Sequence, residues 1–419
     1  MKRRYLRTQI LQVLKHFPVL LLTGARQVGK STLVQSLIGP SWKARYLTLD
    51  DRAVLDAALR DPDGLISANE PPLVIDEVQK APDLMRAIKR VVDRDREPGQ
   101  YLLTGSANVM TLSSVSETLA GRAALNTLYP FSWPEFLEKG PPAILKSLFE
   151  AKDTRQLLKT FPRSPVKEYR KEISEMILSG GYPAPALMDS LPVRGQWFDS
   201  YRQTYLERDL LQIKAIENIP DFNRLLVLAA FRTGGLLNLS DLSRESGLPF
   251  STLRRYMNLL EVTYQIFLLR PYHANIGKRL VKTPKLYFSD TGMASYLRGA
   301  DHWSALERQG KTGAMVETWV CSELIKLIAS SDFRLQIFFW RTQTGSEVDF
   351  LLEHSGELVA LEVKWSHKIE ESDITPLKRC ADDLKERLRL SVILYGGTEV
   401  VPLTPKMIAI PFPVFFGIV

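Results

Sequence analysis

Residues 24 to 31 read Gly24-Ala25-Arg26-Gln27-Val28-Gly29-Lys30-Ser31, a match to G-x-x-x-x-G-K-[ST], and no other stretch restricts the fold as much. The motif follows the apolar run Val19 to Leu22 and precedes a helical pattern that starts at Thr32. The chain must therefore pass from a strand through a glycine turn into a helix at this point. In such a loop the backbone N–H groups surround phosphates, the lysine reaches the β and γ oxygens, and the hydroxyl ligates magnesium. The expected ATP contacts are Gly24, Ala25, Arg26, Gln27, Val28, Gly29, Lys30, Ser31 and Thr32, with Ser31 on Mg²⁺.

A second motif agrees with the first. Leu73-Val74-Ile75-Asp76-Glu77 is an apolar strand that ends in two carboxylates. Asp76 suits the magnesium shell, and Glu77 suits polarisation of the attacking water. Leu102-Leu103-Thr104-Gly105-Ser106 is another apolar strand ending in hydroxyls, expected beside the other two, where Thr104 or Ser106 would lie near the γ-phosphate. Arg122, in Leu119-Ala120-Gly121-Arg122, reads either as a surface arginine or as an arginine finger aimed at a neighbouring subunit's nucleotide.

Between Pro18 and Tyr129 the strand candidates Val19-Leu22, Tyr46-Leu49, Leu73-Ile75, Tyr101-Leu103 and Ala124-Leu128 alternate with helical patterns. This order predicts β-α units on a mainly parallel sheet. A proline-rich patch from Tyr129 to Pro142 marks the edge of that unit. Helical periodicity follows from about Ser164 to Thr233, interrupted at Gly180-Gly181-Tyr182-Pro183 and including Tyr201-Ile213. Next come a helix (Leu239-Glu245), a turn at Gly247-Leu248-Pro249, a helix opened by Ser251 as N-cap, and a strand-like run Tyr264-Leu269. That sequence of elements suggests a winged helix-turn-helix.

A length of 419 residues with 45% hydrophobic content allows two or three units, each expected to have its own core. Lys and Arg number 55 against 47 Asp and Glu, a net charge of +8, which fits a polyanionic partner without requiring one. Cys321 and Cys380 lie far apart without metal-ligand spacing and read as inert thiols of a reducing compartment. The basic start Met1-Lys2-Arg3-Arg4 is followed by an apolar run too short for a signal peptide, and no stretch has the length of a membrane span. A cytoplasmic location with no membrane partner is expected.

The last part begins with a helix (Ala314-Ile328) and continues with strand candidates Leu335-Trp340, Val348-Leu352, Leu358-Val363 and Val392-Leu394, and a helix over Ser372-Arg387. A hairpin through His354-Ser355-Gly356 would bring Asp349 close to Glu362 and Lys364, and alternation along the strand points Glu362 and Lys364 the same way. Asp349 and Glu362 could then hold a divalent metal while Lys364 activates water for phosphodiester attack, with Glu317 as a further ligand. Charged residues at alternate strand positions also occur as a plain solvated face.

Taken together, these stretches resemble the bacterial and archaeal AAA-type ATPases that carry a DUF4143 region. The resemblance rests on Leu21 to Leu33, Ile75-Asp76-Glu77-Val78-Gln79, Leu103-Thr104-Gly105-Ser106, Leu119-Ala120-Gly121-Arg122, Gly180-Gly181-Tyr182-Pro183, Tyr205-Leu206-Glu207-Arg208-Asp209, Tyr287-Phe288-Ser289-Asp290-Thr291-Gly292, and the pair Glu347-Val348-Asp349-Phe350 and Glu362-Val363-Lys364. It implies an α/β chain with a P-loop AAA+ core on a parallel sheet (1–145), a helical lid or linker (146–235), a winged-helix domain (236–300) and a C-terminal domain similar to the PD-(D/E)xK restriction-endonuclease fold (301–419). Ala25 stands where many members have proline, a change that leaves the phosphate contacts intact. Arg208 and Asp209 carry over only as a structural or intersubunit ion-pair motif.

The reading that follows is an ATP-hydrolysing protein that binds DNA and remodels or processes branched or duplex DNA. Arg254 and Arg255 would meet phosphates from the presumed recognition helix, although adjacent exposed arginines are also simply solvated. Metal-dependent cleavage at Asp349, Glu362 and Lys364 is one extension of this reading. The alternative is a nucleotide-dependent regulatory or defence switch whose C-terminal domain binds a protein or nucleic-acid partner without cutting it. Homo-oligomers, hexamers among them, are expected from Arg122 and the family resemblance.

Overall fold

In the computed structural model the described residues are 2–105, 119–162, 164–206, 218–273 and 282–419, without the side chains of 205 and 206. Ser106, Glu207, Arg208 and Asp209, with the rest of the 207–213 helical pattern, lie outside them.

The first five strands are β1 (Val19–Thr23), β2 (Arg45–Thr48), β3 (Leu73–Asp76), β4 (Tyr101–Thr104) and β5 (Ala123–Thr127). They form one parallel sheet in the order β2-β3-β4-β1-β5. All five lie within a residue or two of the apolar runs. Alternation divides their side chains between two faces. Leu20, Leu22, Val74 and Leu102 enter one apolar cluster, while Val19, Leu21, Leu73, Ile75 and Leu103 enter another with Leu84, Ile88 and Val92 of the helix Leu84–Arg94. Each such side chain contributes roughly 1.5–3 kcal/mol by leaving water. The parallel arrangement places the C-terminal ends of β1, β3 and β4 on one edge, the usual place for a ligand in such a sheet.

A small antiparallel sheet follows, made of β6 (Gly235–Leu236), β7 (Ile266–Leu269) and β8 (Lys285–Phe288) in the order β6-β8-β7. Two helices, Leu239–Ser246 and Phe250–Val262, precede β7. The second helix is capped two residues earlier than expected: Pro249 is its N-cap, and Ser251 lies inside the first turn. The strand begins later than expected, because Tyr264 takes a left-handed backbone (φ 60°) that strand pairing does not accommodate.

The third sheet is mixed. Its strands are β9 (Gln336–Arg341), β10 (Glu347–His354), β11 (Glu357–Lys364), β12 (Leu388–Tyr395), β13 (Val401–Thr404) and β14 (Met407–Pro411), in the order β13-β14-β12-β11-β10-β9. The expected hairpin joins β10 and β11, and its two connecting residues both have positive φ (Ser355 50°, Gly356 87°). The small sheet runs into this one: Pro271 bridges Phe339 in parallel, the Tyr272 N–H donates to the Phe339 carbonyl at 2.6 Å, and the Phe339 N–H donates to the Arg270 carbonyl at 3.2 Å.

Cores do not follow one per unit as expected from length. One cluster extends from Tyr5 through one face of the first sheet, Phe222 and Tyr256 to Phe350 and Ile418, because Trp133, in the proline-rich stretch, packs edge-on against Trp319 and Phe416. Two motifs meet inside this mass. The buried Asp290 carboxylate accepts N–H groups from Gly181 (2.7 Å) and Met293 (3.0 Å), and a Cβ on Gly292 would lie 2.5 Å from the Ser179 carbonyl oxygen. Only glycine fits there. Gly292→Ala is expected to cost about 1–3 kcal/mol, read as a lower urea midpoint; an unchanged midpoint would show that the helix start simply moves aside.

Candidate functional site

The loop between β1 and the helix Lys30–Leu37 has the geometry that its glycines allow. Gly24 has φ 143°, and a Cβ there would come within 2.2 Å of the Leu128 carbonyl oxygen. Gly29 is left-handed (φ 94°) and caps the helix from its N-terminal side, with open space where a Cβ would point. This leaves the helix N-terminus and its unsatisfied N–H groups accessible to an anion. Lys30 is buried, and its ammonium donates to the carbonyls of Gly24 and Ala25, both at 2.9 Å. A phosphate has to replace those two carbonyls as its partner.

Asp76 closes β3 on the same edge and is 2% exposed. Tyr46, on the neighbouring β2, donates its hydroxyl to one carboxylate oxygen at 2.6 Å, and Thr104 at the end of β4 donates to the other. Burial and then the bond to Asp76 push the Tyr46 phenol up to about 12. The Thr104 oxygen also accepts the Glu77 N–H at 3.2 Å, so one hydroxyl fixes both acidic positions. Glu77 is left-handed (φ 59°, ψ 41°), and its carboxylate receives the Gln79 amide. For a residue with a Cβ this backbone costs on the order of 1 kcal/mol, and it turns the Glu77 side chain away from the direction of the strand.

These residues fit ATP·Mg²⁺. Lys30 and the loop N–H groups would hold the phosphates, while Ser31 and Asp76 would hold the metal. Tyr46 is the position that sequence reasoning missed; an aromatic hydroxyl in the strand next to the acidic one was the available signal. Tyr46→Phe removes a bond to a charged group, worth about 1.5–3 kcal/mol, and should raise the magnesium concentration needed for half-maximal ATPase.

The loop is braced from behind by residues distant in sequence. The Tyr264 hydroxyl donates to Thr23 Oγ1 at 2.7 Å, Tyr201 reaches the Arg26 carbonyl at 3.4 Å, and Arg4 donates to the Val28 carbonyl at 3.0 Å. Arg122 is paired with Asp93 of its own chain and is half-buried. Arg254 and Arg255 are exposed on the helix Phe250–Val262, with the Arg255 guanidinium 5.5 Å from the Tyr256 ring centre.

In the C-terminal sheet, the register that sets Phe350 opposite Leu361 brings Asp349 next to Glu362, and Asp349 accepts the Val363 N–H at 2.8 Å. Lys364 pairs with Glu362 at 3.1 Å and Asp373 at 3.4 Å. Glu317 lies close by on the helix Thr312–Ala329. The four residues named from the sequence therefore do converge, but with a partner that reading did not include. Lys285 of β8, its side chain only 3% exposed, places its ammonium 2.8 Å from Glu317, 2.5 Å from Glu347 and 3.8 Å from Asp349. Tyr287 also donates to Glu317.

Electrostatics follow that geometry. Burial opposes the Lys285 charge, but Glu317, Asp349 and Glu347 outweigh it and hold the ammonium above its ordinary range. Burial and then Asp349 raise Glu317 to about 7, and burial likewise raises Asp349 and Glu362. Among the described residues, no three His, Cys, Asp or Glu side chains are grouped so as to hold a metal ion. The carboxylates named for a divalent metal do not fit one in this arrangement, since the Lys285 ammonium faces Glu317 and Asp349 while Glu362 is paired with Lys364. A lysine in the buried strand Lys285–Phe288 was the legible signal, because such a charge requires carboxylate partners.

Three family descriptions match: an AAA domain over residues 16–137, a domain of unknown function (DUF8612) over 170–304, and a domain of unknown function (DUF4143) over 312–415. An uncharacterized protein of Mycobacterium tuberculosis is 31% identical over 412 residues, covering 98% of this chain and 83% of the relative. An uncharacterized protein of Methanocaldococcus jannaschii is 22% identical, covering 91% and 84%. Among solved structures, the Walker-type ATPase of Pyrococcus abyssi aligns with a TM-score of 0.43 at 16% identity, over 71% of this chain and 95% of that one. No helix among the described residues is long and apolar enough to cross a membrane.

Proposed function

This chain belongs to one family with its mycobacterial relatives and is itself an AAA-type ATPase with a DUF4143 region, and from that premise we propose that it hydrolyses ATP at the Gly24–Ser31 loop to act on DNA. The observation that carries the reading is the clamp on Asp76: a buried carboxylate held by Tyr46 and Thr104 beside the phosphate loop, with Glu77 tied to the same hydroxyl. Such a group is organised before its ligand arrives, which is what electrostatic catalysis of phosphoryl transfer needs. Bound ATP·Mg²⁺ supplies the γ-phosphoryl group and the metal charge. Lys30 and the loop N–H groups bind and orient it, and Glu77 orients water. Thr104 is a positioning residue for both carboxylates.

The DNA part rests on the net charge of +8 and on the helix pair before β7. Helix, turn, helix and two antiparallel strands follow in winged-helix order, and the exposed Arg254 and Arg255 lie on the second helix. In this reading Arg122 leaves Asp93 to reach a neighbouring subunit's nucleotide within a homo-oligomer such as a hexamer. The mixed C-terminal sheet, with its adjacent Asp349, Glu362 and Lys364, supports a nuclease-like fold.

A second reading draws on Lys285. Its ammonium among Glu317, Glu347 and Asp349 favours a switch whose nuclease-like domain binds a partner without cleavage. ATP turnover measured with and without forked, four-way, linear duplex and single-stranded DNA separates the two, with Lys30→Ala as the blank and cleavage followed on the same substrates. Stimulation by at least one DNA form is the expected result. A rate indifferent to every DNA, with no cutting, would sink the DNA reading and leave the switch.

A further inference from the structure

The helix Phe250–Val262 ends in a turn that ordinarily calls for glycine. The Tyr264 N–H donates to the Glu261 carbonyl at 3.0 Å and the Gln265 N–H to the Leu260 carbonyl at 2.8 Å, the two bonds of a Schellman close with Thr263 as the cap. The residue after the cap is left-handed in that motif, and a Cβ there crowds the neighbouring carbonyl, so glycine usually fills the place. Here the residue is Tyr264, with φ 60°. A tyrosine brings the backbone no gain at this position, so the reason for it lies in what its side chain reaches.

That side chain crosses to the first sheet. Its ring meets Tyr129 edge-on, with centroids 6.3 Å apart, and its hydroxyl donates to Thr23 Oγ1 at 2.7 Å. Thr23 is the last residue of β1, and the next is Gly24, whose carbonyl holds the Lys30 ammonium. The Thr23 carbonyl accepts the Leu128 N–H at 2.8 Å, and a Cβ on Gly24 would strike the Leu128 carbonyl oxygen. The entry to the phosphate loop is therefore fixed by the end of β5 on one side and by Tyr264 on the other. The backbone of Tyr264 is fixed in turn: its carbonyl accepts the Ser289 hydroxyl at 2.5 Å, and the Ser289 N–H donates to the Gln265 carbonyl at 2.9 Å. One side chain thus spans from the entry of the loop to the end of the helix that carries Arg254 and Arg255.

We propose that Tyr264 is a positioning residue for nucleotide binding, and that its bond to Thr23 links occupancy of the phosphate loop to the seating of the helix Phe250–Val262. A phosphate that draws Lys30 off the Gly24 and Ala25 carbonyls releases the peptides next to Thr23, so the Tyr264 hydroxyl meets a different loop when nucleotide is bound. Linkage acts in both directions: whatever seats on that helix changes the hold of the loop on nucleotide by the same factor. The proposal rests on the ATP reading of the loop and is independent of the DNA reading.

Hydrogen exchange followed by mass spectrometry tests it on the full chain carrying Glu77→Gln, with and without ATP·Mg²⁺. Nucleotide should slow exchange over residues 24–33 and shift that of 253–265 by about two- to tenfold, the worth of one neutral hydrogen bond. Tyr264→Phe keeps the ring and removes the donor; protection of the loop should persist while the helix response disappears. Thr23→Val removes the acceptor at similar volume and should give the same result, whereas Thr23→Ser, which keeps the hydroxyl, should retain the response. Should Tyr264→Phe fold poorly, Thr23→Val against Thr23→Ser decides. A protected loop beside an unresponsive helix in the Glu77→Gln parent overturns the proposal, as does a helix response that survives Tyr264→Phe or Thr23→Val. Exchange at 253–265 that rises equally with and without nucleotide in those variants would show a purely structural bond and overturn it too. An unprotected loop in the parent sinks the ATP reading and the proposal together, and residues 24–33 themselves tell that case from the others.

Discussion

Glu77→Gln is expected to bind ATP as the unaltered chain does and to hydrolyse it roughly 10²–10⁴ times more slowly. The substitution keeps the shape of the side chain and removes its basicity. Glu77 lies directly after β3 in a left-handed conformation, its N–H held by Thr104 and its carboxylate by the Gln79 amide. Neither contact reaches the Lys30 ammonium or the loop amides, so affinity for nucleotide should be spared. Lys30→Ala, by contrast, should lose both binding and turnover. A fluorescent ATP analogue reports the affinity and single-turnover phosphate release reports the chemistry. A Glu77→Gln rate within about threefold of normal would remove this residue from the water-polarising role.

Arg4→Ala is expected to destabilise the fold by about 3–5 kcal/mol, the largest loss anticipated from one side chain. Arg4 is buried, lies 3.3 Å from the Glu135 carboxylate, and donates to the carbonyls of Val28 and Tyr129. Burial pulls its guanidinium below the ordinary arginine range, with Glu135 opposing that shift. Removing it leaves the buried Glu135 carboxylate without its counter-charge, although the Tyr5 and Ser132 N–H groups still donate to it, and takes the guanidinium donor from two carbonyls. The Val28 carbonyl belongs to the phosphate loop, so weaker ATP binding should accompany the lower stability. Chemical denaturation with and without nucleotide measures both; a loss under about 1 kcal/mol would show that water enters and replaces the guanidinium.

Arg4 also marks what the sequence could not disclose. In the run Met1-Lys2-Arg3-Arg4 it reads as one more surface charge, and only the return of Tyr129 to Glu135 across the chain start makes it interior. Tyr264 is similar: it looks like the first residue of a strand and is a positive-φ residue bonded to Thr23. The centre of the parallel sheet was legible because β1, β3 and β4 are short, mostly apolar runs buried on both faces. The strand pair β13 and β14 was not, since Pro402, Pro405 and Pro411 punctuate it; β13 lies at the edge of its sheet, where proline is tolerated. Asp76, Glu77, Asp349 and Glu362 could be found because acidic residues at the ends of apolar strands are conspicuous. Tyr46 and Lys285 act through register and through a strand from another part of the chain, which no local spacing encodes.

Phe339 has its N–H and its carbonyl committed to the chain at Arg270 and Tyr272. A fragment cut to the last hundred or so residues would therefore expose an unpaired backbone row on β9, the kind of edge that recruits other strands into aggregates. It would also forfeit the lysine that neutralises its acidic interior. The practical unit for expression, truncation series and transfer between hosts is thus the whole polypeptide, and a gene fusion or split placed between β7 and β9 should yield insoluble halves.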